Sequence, residues 1–173
     1  MPFTKIDASN LGGSSLPSSI TSASGLTTGK VLQVVNSTLS SSVDTSSVSY
    51  ADTGLSVAIT PSATSSKILV LVNHTGLLKE SSNNAGKIEL YRVISGGSSS
   101  SLGMFENDFG RTGDTSLNIV GASSTAHLDT SHSTTSAITY KTRFACSVTA
   151  ASTIRLQQNN CIATITAMEI SAW

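Results

Sequence analysis

The sequence predicts an all-β protein, an antiparallel β-sandwich of the jelly-roll kind preceded by an extended N-terminal arm. Three observations carry this. Residues 136–148 alternate throughout, with Ile138, Tyr140, Thr142, Phe144, Cys146 and Val148 on one side and Thr139, Lys141, Arg143, Ala145 and Ser147 on the other. Successive side chains of an extended chain point to opposite faces, so this is a strand with one apolar face. Helical spacing would instead gather Lys141, Phe144 and Val148, and Thr139, Thr142 and Thr149 would add β-branched cost. Second, Ser and Thr make up about a third of the 173 residues and are interleaved with apolar β-branched residues, while charged residues are only 12%. Hydroxyl-dressed sheet faces have this composition, since Thr suits strands and Ser suits turns. Third, eight or nine strand-like segments are separated by turn signals, and no stretch has helical periodicity. A two-sheet sandwich fits that count, the jelly roll being its commonest form; a closed up-and-down barrel is the alternative.

Residues 1–29 differ from all that follows. Phe3, Ile6, Leu11, Leu16, Ile20 and Leu26 are single apolar residues spaced by Ser, Gly, Asp and Asn. Such a segment cannot bury enough surface to fold alone and is ordered only where something holds it. It is therefore expected to be a docking arm, with Phe3, Ile6, Leu11, Leu16 and Ile20 as its contact residues, and the folded domain is expected at 30–173. From Gly29 onward the pattern is β. Residues 30–36 form a short apolar strand, and a polar loop leads to 48–50 and to 54–60, where Leu55, Val57 and Ile59 alternate. Pro61 ends that strand because it has no N–H for the ladder. In 67–73, Ile68, Leu69, Val70, Leu71 and Val72 are apolar on both faces, so both faces should be covered: one by the core and one by a second subunit. Which face meets the subunit is open from the residues alone. Residues 77–84 run into a Ser-Ser-Asn-Asn turn, and 86–94 set Ile88, Leu90 and Ile94 against Lys87, Glu89 and Tyr91. Residues 96–101, 104–115 and 122–136 read as polar loops, with a short strand at 117–120. Strands at 153–158 and 163–170 close the chain.

Composition also narrows function. Formal net charge is zero with no basic run, which argues against a nucleic-acid partner. No apolar run approaches the ~18 residues of a membrane span. Met1-Pro2-Phe3-Thr4-Lys5 lacks the apolar core of a signal peptide, so the ordinary secretory route is not expected. Cys146 and Cys161 make no disulfide framework and are expected to be small hydrophobes.

Candidate chemistry is thin. His127, Asp129 and His132 could ligate a metal, but in a Ser/Thr loop they are expected to be solvated. Glu106, Asp108 and Asp114 lie near Gly110 and Gly113, yet their spacing departs from the calcium-loop pattern. A polysaccharide hydrolase needs two placed carboxylates, and these three are the one acidic cluster on offer. No serine sits in a Gly-x-Ser-x-Gly context, and Gly96-Gly97 lacks the lysine and helix of a phosphate loop. Asn36-Ser37-Thr38 and Asn73-His74-Thr75 match the glycosylation acceptor pattern by chance. A sugar-binding loop is hinted at by Phe105, Phe109 and Asp108 alone, and aromatic residues at 5% argue against a strong sugar platform. The expectation is no catalytic residue, no metal, no cofactor and no enzymatic activity.

Four stretches resemble bacteriophage virion proteins. They are Phe3-Thr4-Lys5-Ile6-Asp7-Ala8-Ser9-Asn10-Leu11, the Gly29-Lys30-Val31-Leu32-Gln33-Val34-Val35 step, Ile59-Thr60-Pro61 through Ser66-Lys67-Ile68-Leu69-Val70, and Ala167-Met168-Glu169-Ile170. The resemblance implies a homotrimeric fibre or head-decoration subunit with a tumour-necrosis-factor-like jelly roll, made in the host cytoplasm and carried on the virion. It implies self-association through strand 67–73, contact with other virion proteins through the arm, and no catalytic residue. The loops at 96–101, 104–115 and 122–136 would then face outward, toward a host surface glycan or receptor.

Overall fold

Two antiparallel sheets hold nearly all the regular structure in the computed structural model, which describes residues 30–80, 83–111, 116, 118–148 and 153–172. The strands are β1 (Val31–Leu39), β2 (Val43–Thr45), β3 (Ala51–Ile59), β4 (Lys67–Lys79), β5 (Gly86–Ile94), β6 (Ser99–Phe109), β7 (Ile119–Asp129), β8 (Ile138–Cys146), β9 (Ile154–Leu156) and β10 (Ala163–Ile170). Sheet A places β10 between β1 and the first half of β4, with β7 along the other edge of β4. The short β9 takes over from β10 beside Leu78 and Lys79, and β2 pairs with β9. Sheet B runs β3–β8–β5–β6.

With the three-residue β2 and β9 set aside, the eight long strands pair in nested fashion: β1 with β10, β3 with β8, β4 with β7, β5 with β6. A long hairpin rolled so that its arms alternate between two sheets gives this pairing, which is the jelly roll. The sheets stay separate and keep their edges, so the closed barrel is excluded.

Strand β8 shows why the alternating stretch is a strand. Ile138, Tyr140, Thr142 and Phe144 are fully buried, while Thr139, Lys141 and Arg143 are half-buried on the outer side. It is shorter than the alternation suggests: beyond Cys146 the chain leaves the ladder, and Ser147 donates its N–H to Ala85 O at 2.8 Å. Between the sheets Leu55, Val57 and Ile59 meet Ile68, Val70, Val72, Ile165 and Ala167 in one buried cluster. Each such side chain contributes about 1.5–3 kcal/mol by leaving water. A second cluster, around Leu77, Ile88, Phe144 and Leu156, fills the other end.

The structure differs from the sequence expectations at three elements. Strand β4 continues from 67 through 79 rather than stopping at 73. Its register against β7 shifts between His74 and Leu77, and Gly76 sits there at φ 62° with no room for a side chain, since a Cβ would meet Cys161 and Gln158 N at 2.8 Å. Such a bulge absorbs one irregularity without ending the strand, because β7 pairs on both sides of it. The loops expected at 96–101 and 104–115 give way to strand β6 over 99–109, and the short strand expected at 117–120 runs on through the expected loop to 129 as β7. Both are edge strands rich in Ser, Thr and Gly, and the partner strand supplies their ladder more than any propensity of their own. The arm residues Phe3, Ile6, Leu11, Leu16 and Ile20 lie outside the described residues.

Candidate functional site

The two outer faces of the sandwich differ: an apolar row crosses sheet A, which also carries the Arg155–Asp44 ion pair (2.6 Å) at its β9–β2 end, and sheet B is charged and aromatic. On sheet A the register aligns Val34 with Met168, Met168 with Leu69, and Leu69 with Leu128. These positions are out of phase with the half-buried Val35 and the buried Ala167, Ile68 and Asp129, so one apolar row crosses four strands on the outer surface. Val34 is 55% exposed and Leu128 42%. The next row is Asn36, Thr166, Leu71 and Ala126, with Leu71 36% exposed and the Asn36 amide donating to Thr166 Oγ1 at 2.8 Å. The row after it, Thr38, Thr164, Asn73 and Ser124, is wholly polar. Exposed Val31 and Leu32 extend the apolar area along the β1 edge.

This divides the five candidates of strand 67–73. Ile68, Val70 and Val72 are buried between the sheets, where they belong to the core. Leu69 and Leu71 point outward. Sequence reasoning missed Val34, Met168 and Leu128, because cross-strand alignment appears only once the register is known.

Sheet B presents a tile of charge and aromatic rings. Arg143 Nη1 lies 3.2 Å from Glu89 Oε1, and Lys141 Nζ lies 2.7 Å from Asp52 Oδ2. The Arg143 guanidinium sits 4.5 Å from the Tyr91 ring centre and 5.6 Å from that of Tyr50. Lys141 approaches Tyr91 at 5.8 Å, and Lys87 approaches Tyr50 at 5.1 Å. Ser101 Oγ donates to Glu89 Oε2 at 2.7 Å, and the Tyr50 hydroxyl reaches Met104 Sδ at 3.5 Å.

The remaining polar groups are structural. Asp129 was expected in a solvated loop; it is buried at the end of β7 and accepts from Arg92 Nη1 at 2.8 Å through both oxygens. Tyr140 OH donates to Asp129 Oδ2 at 2.7 Å, and Ser131 donates from its backbone at 3.0 Å. Burial alone would raise the Asp129 pKa, but the Arg92, Ser131 and Tyr140 donors hold it below the ordinary value. Tyr140 is pushed the other way, upward, by burial and by that carboxylate. This bridge ties β7 of one sheet to β5 and β8 of the other. His132 is buried too, its Nε2 2.8 Å from Ser66 O, while His127 lines an opening of about 130 Å³ between β6 and β7. Asp129 and His132 thus have separate partners and His127 lies apart from both, and no cluster of three or more metal-ligating side chains occurs among the described residues.

The acidic cluster does not assemble as a carboxylate pair. Asp108 faces Arg111 at 3.8 Å, Glu106 lies on β6 opposite Ile88, and Asp114 lies outside the described residues. Phe105 and Phe109 pack against the buried clusters, Phe105 stacking on His74 with ring centres 6.5 Å apart, which removes them as an exposed sugar platform. Both cysteines are free; Cys146 is buried and accepts from Asn84 Nδ2 at 3.3 Å, and Cys161 is half-buried. Set against protein-family models and curated proteins, the sequence matches none, so function is argued from these two faces and from the resemblance in the sequence.

Proposed function

We propose that this chain is a non-enzymatic structural subunit of a bacteriophage virion, a homotrimeric fibre or appendage protein. Its arm, residues 1–29, grips other virion proteins, and its jelly roll projects from the particle. The observation that carries self-association is the apolar row Val34–Met168–Leu69–Leu128, continued by Leu71. A single copy would leave this row in water, where apolar surface costs about 25 cal/mol per Å² relative to burial. Contiguous apolar patches of this kind mark contact surfaces. The occupants are the same faces of two further copies gathered about a threefold axis, because the Thr/Asn/Ser rows beside the apolar row offer hydroxyls and amides that pair with their own kind. A closed ring of three follows the tumour-necrosis-factor-like resemblance and leaves the charged face of sheet B outside. Decoration of the capsid is the same assembly set on a different part of the particle.

Light scattering on the intact chain tests this. The expected mass is three times the 17.7 kDa subunit. Leu69→Asp combined with Met168→Asp places six carboxylates at a threefold contact and should yield monomers whose circular dichroism is unchanged. A wild-type chain that is monomeric at micromolar concentration would sink the proposal.

A further inference from the structure

We propose that the outer face of sheet B binds an extended carboxylated polysaccharide, laid along β5 and β8 over Lys141 and Tyr91, then Arg143, then Lys87 and Tyr50. The register sets these groups in three successive outward rows. Lys141 stands opposite Tyr91, Arg143 opposite Glu89, and Lys87 opposite Ala145. Outward rows are two residues apart, about 7 Å along an antiparallel strand, so the three cations span about 14 Å in the strand direction. A line of cations at that spacing suits a chain with repeating anionic groups better than it suits one small anion.

The outer rows each pair a lysine with a tyrosine, and the middle row carries the arginine between the two rings. Aromatic faces accept the C–H faces of sugar rings, and charged or hydroxyl groups beside them take the polar edges. Two of the three tyrosines in the chain lie here, which offsets its low aromatic content. Glu89 and Asp52 hold Arg143 and Lys141 in place, so little side-chain freedom is lost on binding, and the exposed Asp52 oxygens can accept from sugar hydroxyls. Lys87 completes an excess of one positive charge. Among the described residues it meets the Tyr50 ring and has no carboxylate within 4.0 Å.

Two other occupants fit worse. A subunit interface depletes charge at its centre, whereas this face concentrates it. A nucleic acid draws nearly all its affinity from counterion release, which a net excess of one cation supplies weakly, whereas a sugar chain also brings C–H faces to Tyr91 and Tyr50 and hydroxyls to Asp52. The inference does not rest on the trimer, because the apolar row belongs to the opposite sheet.

Retention of the intact protein on immobilised polygalacturonate and alginate at low salt tests it, with uncharged dextran and single-stranded DNA as comparisons. The expected result is retention on both carboxylated polymers, weakened by added salt, and none on dextran or DNA. The double variant Lys87→Ser with Tyr91→Ser, unchanged in circular dichroism, should lose about tenfold or more in affinity, the scale of a desolvated cation–aromatic contact. Failure of the wild-type chain to bind either polymer, equal binding by the variant, or tighter binding to DNA would each overturn the proposal.

Discussion

His74 sits in the middle of the sandwich with no exposed surface. Gln157 Nε2 donates to its Nδ1 at 2.8 Å, so the ring proton is on Nε2, which donates to Thr142 Oγ1 at 2.9 Å. Thr142 in turn lies 2.6 Å from Thr53 Oγ1, which also accepts the Leu55 N–H at 3.0 Å. A second ring proton would face the donor side of the amide, and burial lowers the His74 pKa to about 4. The unfolded chain takes up that proton near the ordinary value of about 6.5, so stability is full above 6.5 and declines as pH falls toward 4. Glu169 acts lower on the scale. Its buried carboxylate accepts from Ser62 N at 2.7 Å, Ser62 Oγ at 2.6 Å and Gln33 Nε2 at 2.6 Å. Burial alone would raise its pKa; the donors from Ser62, Ser66 and Gln33 outweigh this and bring it down to about 2. Its contribution is present above about 4.5 and is lost as pH falls toward 2. Denaturant midpoints should therefore fall in two windows, from 6.5 to 4 and from 4.5 to 2. His74→Gln should flatten the first, and Glu169→Gln the second while costing about 1–3 kcal/mol at neutral pH for the unmatched Ser62 donors. A wild-type midpoint flat between pH 7 and 4 would contradict the placement of His74.

Strand β8 was legible because each of its side chains has one fate: the inner ones fill the core, and the outer ones stand on the sheet B tile. A test of that register follows. Phe144→Asp puts an unpaired charge among Leu77, Ile88 and Leu156 and should abolish folding, a loss well above the 0.5–3 kcal/mol of ordinary substitutions. Lys141→Ser on the outer face removes one half-exposed ion pair with Asp52 and should lower the unfolding free energy measured in urea by no more than about 1 kcal/mol. Equal, mild effects would mean the register is wrong. Strands β6 and β7 were not legible. Asp108 and Gly110 with their positive φ, and the three register shifts of β6 against β5, blur any period of two. Strand β4 was legible in half: the phase of Ile68, Val70 and Val72 carries on to His74 as an inward position, but Asn73-His74-Thr75-Gly76 carries turn-like composition that hides it. The two outer faces were the least legible part. Val34, Met168, Leu69 and Leu128 are scattered through the chain, as are Tyr50, Lys87, Tyr91 and Arg143. Only the nested pairing of the jelly roll brings each set together.

At the scale of the molecule, a sandwich has two outer faces; here the apolar row lies on sheet A, with the Arg155–Asp44 pair at its β9–β2 end, and the tile of cations and rings on sheet B. In the proposed assembly the chain would associate through sheet A and expose sheet B, and attachment to the particle would fall to the segment before β1. Under that proposal the single apolar residues Phe3, Ile6, Leu11, Leu16 and Ile20 would give one arm modest affinity. Three arms held by one trimer engage at high effective concentration, so avidity can exceed single-arm affinity by 10²–10⁴ without any new contact. Deleting residues 1–29 removes none of the rows on sheet A and none of the buried clusters. The truncated chain is therefore expected to remain trimeric by light scattering and to keep its thermal midpoint, yet to be absent from particles purified after infection of cells that express it with a label. Adding Leu69→Asp and Met168→Asp to the full-length chain should also reduce incorporation, here because each arm would bind alone. Labelled truncated protein on purified virions would remove the anchoring role of the arm, and undiminished incorporation of the full-length monomeric variant would remove the role of avidity.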